Sequence, residues 1–425
     1  MNFRLELICI TEDGTEVRRE VLTFAKEQLA METLGLTVAE GKALLSAVQA
    51  GVVETQTTTY LAERRACASC GKPHRSKEPR QSTVHTVFGS VAVSNPRWYR
   101  CACQQTGAAT FRPTAQWLTG HTSPDLLYLE TKWASLIPYA KVVDLLKDVL
   151  PVAETLNPET VRQHLYATAT KMEQALGEEK DNLFEGTDDD WAAQSLPDGP
   201  MTIGIDGGFV RARRNAGFFE VIAGKSIVAF RRHEPEDIPS AKRFGFVQTY
   251  DTKPRRRLWE LLKSQGMQEN QAVLFLSDGG DTVRNLQTYL RPASTHVMDW
   301  FHREMKLTVI QQQNKAFIEE SPEAGAHIAK GVERVKHYLW HGNVDKALEC
   351  LGLLLFDLDV QRRRFPVAAK LERSVTEFDT YIRNNQKSIP NFGERHRQGD
   401  TISTAFVEST INQVVSKRFV KRQQM

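Results

Sequence analysis

MTIGID, residues 201–206, is an apolar, β-branched run that ends in an acid and is followed at once by Gly207 and Gly208. Such a run reads as a β-strand, and the glycines let a ligand or a second backbone approach the acid closely. AVLFLSD (272–278) repeats the arrangement: a nearly all-apolar strand, then Asp278, then Gly279 and Gly280. Between them lie strand-like FFEVIAG (218–224), SIVAF (226–230) and FGFVQTY (244–250), and a helix at 254–264. A helix at 282–290 and the strand THVMD (295–299) follow. From 301 to about 385 the pattern is almost entirely helical, and 401–421 reads as a last amphipathic helix. Strands first, then alternating helix and strand, predict an α/β domain over 201–425 with a mixed sheet and a helical insertion at about 303–395.

If the strands ending at Asp206 and Asp278 are neighbours, their carboxylates converge. Acids brought together repel one another unless a divalent cation neutralises them, and hard oxygen ligands of this kind suit Mg²⁺ or Mn²⁺. A third acid belongs on a helix. Glu408 in FVESTINQ has Asn412 rather than a cation four residues on, and Phe406 and Ile411 mark the apolar direction. Taken singly, each of these acids also reads as a helix cap or a solvated carboxylate.

Upstream the chemistry changes. Cys67 and Cys70 form a CxxC pair, Cys101 and Cys103 a CxC pair, and between them TVHTVFGSVAVSNPRWYR (83–100) alternates like a hairpin turning at Phe88-Gly89-Ser90. Four thiolates from two tight turns are what one tetrahedral structural zinc requires, with His74 a lesser alternate ligand and a redox pair or chance clustering the competing reading. A zinc ribbon over 61–117 has little core, so the metal would fold much of it. Residues 61–105 carry eight basic against two acidic side chains, net +6, whereas the whole chain is only +3. That asymmetry suggests a nucleic-acid surface, or a ribbon that merely braces its neighbours.

Residues 118–175 read as three helices, the third opening at Asn157-Pro158-Glu159 with a cap, a proline at the first position and an acid suited to the helix dipole. This is a helix-turn-helix, or a plain three-helix bundle given the long turn at 151–156; Arg162, Gln163 and His164 would face a DNA groove. Residues 176–200 are expected to form an acidic linker, with seven carboxylates between Glu178 and Asp190 against Lys180 alone. Residues 1–60 contain a strand-like start and a polar helix at 37–51, and no site chemistry. Basic runs at Arg255, Arg256, Arg257, at Arg362, Arg363, Arg364 and at Lys417, Arg418 could hold phosphates or simply face solvent.

The chain has 425 residues, 41 % hydrophobic and 25 % charged, which excludes a disordered, collagen-like or disulfide-dense protein. No signal-peptide pattern opens it, and its longest nearly apolar run, 350–356, falls short of the roughly 20 residues of a membrane helix. A cytoplasmic protein with no membrane partner is expected.

IGIDGGFV, LFLSDGGDTVRNL, HVMDWFHREM and AFVESTINQVVSKR together resemble the motif blocks of bacterial insertion-sequence DDE transposases, close to the Kra-type family and more distantly the Mutator-like group. The resemblance covers residues 61 to the end. It implies a ribonuclease H-like catalytic domain preceded by zinc ribbon and helix-turn-helix modules, with Asp206, Asp278 and Glu408 holding two Mg²⁺ or Mn²⁺ ions. Asp299, with His302 three residues on, occupies the place of a DxFH or CxxH block and is a rival for the second ligand; His302 would orient a phosphate or the attacking group, or be structural. The implied activity is cleavage at an element's terminal inverted repeats and strand transfer into target DNA by two-metal phosphoryl transfer. The implied partner is double-stranded DNA, bound by a homodimer or higher oligomer on the bacterial nucleoid. A nuclease or resolvase without strand transfer, and an inactive transposase-derived DNA-binding regulator, are the alternatives. The family continues past the point where this chain ends, which the resemblance reads as a shortened copy.

Overall fold

The computed structural model describes residues 1–10, 14–103, 109–181, 183, 186–195, 199–212, 217–228, 241–280, 285–287 and 294–411. They form a mixed α/β protein of several sheets and many helices, in two compact units that divide between Met172 and Glu173.

In the first unit, β1 (Asn2–Ile10) and β2 (Glu16–Ala25) make an antiparallel hairpin against α1 (Val38–Glu63). Helix α1 opens on a reciprocal cap: the Glu40 N–H donates to the Thr37 hydroxyl and the Thr37 N–H to the Glu40 carboxylate. It runs well past the expected 37–51. The β-branched threonines that argue against helix there satisfy their hydroxyls on it, Thr55 donating to the Gly51 carbonyl and Thr57 to that of Val53. The stretch Met31–Glu63 is long and apolar enough to cross a membrane by length and composition alone, which the run at 350–356 had not suggested. It lies against its own unit, with Leu7 over Gly51 and Arg19 paired to Glu54.

The ribbon region departs from the single hairpin expected at 83–100. Strands β4 (Gln81–Thr86) and β5 (Gly89–Ser94) pair with each other. Asn95-Pro96 then ends the ladder, since proline has no N–H to donate. The chain continues as β6 (Arg97–Tyr99), which lies between β3 (Ser76–Glu78) and β7 (Thr110–Phe111) in a separate sheet. Helices α2 (Pro124–Ala134), α3 (Tyr139–Val149) and α4 (Pro158–Ala175) follow, the last capped as expected by Asn157, whose side chain accepts from the Thr160 N–H. Leu126, Val142, Leu146 and Val161 are the centre of their shared core.

After a short α5 (Asp188–Ala192), the second unit is built on one five-stranded sheet. Its strands are β8 (Met201–Arg211), β9 (Phe218–Val228), β10 (Lys242–Val247), β11 (Val273–Ser277) and β12 (Thr295–Met298), in the order β10-β9-β8-β11-β12. Strand β9 runs antiparallel to both β8 and β10, and β11 and β12 run parallel to β8. FFEVIAG and the described part of SIVAF, 226–228, read as two strands, are one. Gly224 does not break the strand but makes room: a Cβ there would lie 2.3 Å from the Phe244 ring on β10.

Met201, Ile203, Ile205 and Phe275 pack with Leu258 and Trp259 of α6 (Pro254–Lys263) on one face. On the other, Leu274, Leu276 and Val297 join the core of a helical insertion: α7 (Trp300–Glu320), α8 (Pro322–Trp340), α9 (Val344–Gln361) and α10 (Pro366–Asn385). Prolines at the first turns of α6, α8 and α10 start those helices without losing a hydrogen bond. The chain returns through α11 (Phe392–Gln398), closed by left-handed Gly399, to α12 (Ala405–Ile411). Of the helix expected at 282–290 only 285–287 are described, and they are helical; the expected end of the last helix lies outside the described residues.

Candidate functional site

The parallel register sets the acids side by side. Leu276 of β11 pairs with Gly204 of β8, and Ser277 with Met298 of β12. Two residues beyond Leu276–Gly204 stand Asp278 and Asp206; one residue beyond Ser277–Met298 stand Asp278 and Asp299. Three acids thus occupy one level across three adjacent strands. Contrary to expectation, Asp206 does not end its strand: Gly207 and Gly208 stay paired with Ile222 and Val221 of β9, so Asp206 sits where β8 outruns β11.

Each acid has a different environment. Asp206 is half-buried, with Oδ1 accepting the Gly207 N–H at 2.8 Å. Burial pushes its carboxyl up, the charge of His302 and the Gly207 N–H oppose this, and the neighbouring Asp278 and Asp299 carboxylates push it up further. Asp278 Oδ1 accepts from the Gly280 N–H at 3.0 Å, and the Asp278 carbonyl takes the Tyr381 hydroxyl at 2.9 Å. Gly279, at φ +86°, makes the left-handed turn between them.

Asp299 is fully buried and caps α7. Its Oδ1 accepts the N–H groups of Phe301 and Thr404, and its Oδ2 accepts His302 Nδ1 at 2.5 Å and the Thr404 hydroxyl at 2.7 Å. Burial works against its charge, but the hydrogen bonds from His302, Thr404 and Phe301 hold the carboxyl below the usual range. With four donors on two oxygens it has the bonding of a structural acid rather than an open ligand. His302 gains from the arrangement: the Asp299 bond raises its pKa, burial opposes, and the Asp206 and Asp278 charges add to the rise. The bond to Asp299 and the charges of the other two acids thus all favour the protonated form of the imidazole.

The helix carrying Glu408 comes to this face of the sheet. Gly204 and Asp206 share one face of β8, and a Cβ on Gly204 would lie 2.3 Å from Val407 Cγ2 and 2.6 Å from Phe406 Cζ, both on α12. The Glu408 side chain lies outside the described residues, as do Lys417 and Arg418. Sequence reading missed Thr404, which has no signature, and Arg303, visible only as part of WFHREM. Arg303 is wholly buried, donates to the carbonyls of Met298 and Asp299, and lies 4.1 Å from the Phe392 ring; burial holds its pKa down to about 10.

The four cysteines meet. Cys67 and Cys103 sulfurs are 3.6 Å apart, Cys70 and Cys101 3.3 Å, and all four lie within 4.8 Å of one another. Zinc–sulfur bonds of 2.3 Å in a tetrahedron require sulfurs about 3.8 Å apart, so the four thiols could hold one structural zinc. Among the described residues this is the one group of three or more such side chains so tightly gathered. Backbone N–H groups of Ser69 and Cys70 lower the Cys67 thiol to about 6, while the neighbouring thiols push Cys103 up to about 12. His74, the alternate ligand, stands outside this group of four: it is buried between Trp98 and Phe111, with Nδ1 at the Tyr99 carbonyl. Replacing Cys67 and Cys101 together by serine is expected to take bound zinc from one ion per chain to none and to abolish protection of the 66–103 amides. Elemental analysis and hydrogen exchange check this, and unchanged zinc would remove the assignment.

The expected DNA contacts fare unevenly. Arg162 and Gln163 are exposed but both engage Glu159, Arg162 with two bonds of 2.7 and 2.5 Å. His164 turns inward to the wholly buried Glu130. Arg255, Arg256 and Arg257 are not an open phosphate clamp. Arg255 pairs with Glu179 and Asp181, Arg256 with Glu260, and Arg257 with Asp251 and Glu173 at 2.8 Å each. Residues 173–181, part of them expected as a solvated linker, supply most of those carboxylates. No family model matches the chain, and no curated protein matches it.

Proposed function

We propose that the chain is a metal-dependent DNA transposase of the DDE type, with a ribonuclease H-like catalytic sheet. The observation that carries this reading is the register that sets Asp206 beside Asp278 on adjacent parallel strands, with α12 seated on Gly204 of the same face. The strand order, three antiparallel and two parallel, supports it, as does the resemblance of the four motif blocks. The donor set fits a hard divalent cation: Asp206 is half-buried among like charges, a strain that a bound cation relieves. Asp206, Asp278 and Glu408 would hold two Mg²⁺ or Mn²⁺ ions, whose role is to activate the attacking oxygen and stabilise the leaving one. Asp299 orients His302, and the imidazole offsets the negative charge of acids and phosphate. DNA is recognised by residues 61–175 through the zinc-bound ribbon and a helix-turn-helix, in a homodimer or higher oligomer in the cytoplasm at the nucleoid.

Incubating the chain with Mn²⁺ and plasmid DNA bearing the inverted repeats that flank its gene tests the reading. Cleavage at the repeats and their joining to new DNA are expected. Hydrolysis without joining selects a nuclease or resolvase, and salt-sensitive binding without metal-dependent cleavage selects a regulator.

A further inference from the structure

We propose that Thr404 is a positioning residue that seats the third acid of the metal site through Asp299; this rests on the carboxylate reading above. Thr404 is 1 % exposed and occupies both oxygens of the wholly buried Asp299, its N–H bonding Oδ1 at 3.2 Å and its hydroxyl Oδ2 at 2.7 Å. Beside it the Trp300 N–H donates to the Ile402 carbonyl at 3.0 Å. The segment that returns from the helical insertion is thus pinned to the first residues after β12. The Thr404 carbonyl in turn accepts the Val407 N–H at 2.7 Å, within the first turn of α12.

Helix α12 is therefore held at two points: at its start by Asp299, and one turn on by Val407, fully buried and seated on Gly204. Glu408 follows Thr404 by four residues, about one helical turn. Asp299 serves the site twice over without being a ligand. One oxygen orients His302, and both oxygens fix where the Glu408 helix begins. Partners that orient metal ligands typically matter about 10–100-fold in metal affinity or activity, and a buried carboxylate with four donors is stiff enough for that role.

The test uses the zinc-loaded full chain without DNA, comparing Thr404→Val, Thr404→Ser and Asp299→Asn. Valine keeps the size and removes the hydroxyl; serine restores it; Asp299→Asn loosens the same bond from the other side. Mn²⁺ affinity by calorimetry is expected to fall at least tenfold in Thr404→Val and Asp299→Asn, and amides 405–411 to exchange faster, with Thr404→Ser near wild type. Wild-type exchange and wild-type Mn²⁺ affinity in Thr404→Val overturn the proposal. Asp206→Ala separates it from the reading beneath: if Asp206→Ala does not weaken Mn²⁺ binding, the carboxylate site itself is wrong, whereas exchange at 405–411 still reports the Thr404 seat.

Discussion

Alanine at Asp206 or at Asp278 is expected to lower metal-dependent strand cleavage by about a thousandfold or more, on the order of 4 kcal/mol of transition-state stabilisation. Either loss alone should be near total, because acids sharing two ions act as one unit and their contributions do not add. Stability should move the other way. The Asp206 carboxyl is raised by burial and by its acidic neighbours, so the folded metal-free chain binds its proton more tightly than the unfolded chain does. Stability therefore falls as pH rises through the Asp206 titration, and Asp206→Asn should be the more stable protein at neutral pH without metal. Asp299 has the opposite sign. Its carboxyl is depressed by the bonds from His302, Thr404 and Phe301, so its contribution is present above the unfolded pKa and is lost as pH falls through the folded one. Asp299→Asn should lower the melting temperature at neutral pH. Thermal unfolding of both variants with chelator present checks the pair of signs. Asp206→Asn melting lower than wild type would mean that the acids are not crowded.

That contrast changes what Asp299 can test. As a rival ligand it would be judged by alanine substitution alone, but Asp299→Ala strands the Thr404 hydroxyl, His302 and two N–H groups. Its loss of activity would therefore not distinguish ligand from support. Sequence showed an acid three residues before a histidine at a strand end; it did not show that the carboxylate is filled, because two of its four hydrogen bonds come from Thr404, 105 residues away.

The same limit runs through the chain. Local signals were legible: the apolar run of β11, the cysteine pairs, the Asn157 cap and the prolines that open helices. Register was not, and register is what brings Asp206, Asp278 and Asp299 to one level. Charge was misleading where partners were distant in sequence. Arg255, Arg256 and Arg257 look like a phosphate clamp until Glu173, Glu179 and Asp181 are placed against them. Glycine was ambiguous for the reverse reason. Gly224 looks like a strand break, yet its missing side chain is the space that the Phe244 ring fills.

Gly204 carries that logic into the site, and Gly204→Val is expected to cut cleavage by about 100-fold or more while the second unit stays folded. The Cβ alone would stand 2.3 Å from Val407 Cγ2 and 2.6 Å from Phe406 Cζ, about 1 Å or more closer than the roughly 3.5–4.0 Å at which carbon atoms rest. Strand β8 cannot yield, since Gly204 pairs with Lys225 of β9 and Leu276 of β11, so the helix must move. The opposite face, where Ile203 and Ile205 meet α6, is untouched, and overpacking of this kind typically costs about 1–3 kcal/mol. A displacement near 1 Å in a catalytic group can cost about 100-fold in rate. Thr404 would still hold the start of α12, so the helix should tilt about that anchor rather than detach. Adding Thr404→Val to Gly204→Val should then free it, with the amides of 405–411 exchanging faster in the double variant than in either single one. Cleavage at the wild-type rate in Gly204→Val would mean that the seat of α12 does not matter to the chemistry, and that the third acid is not on this helix.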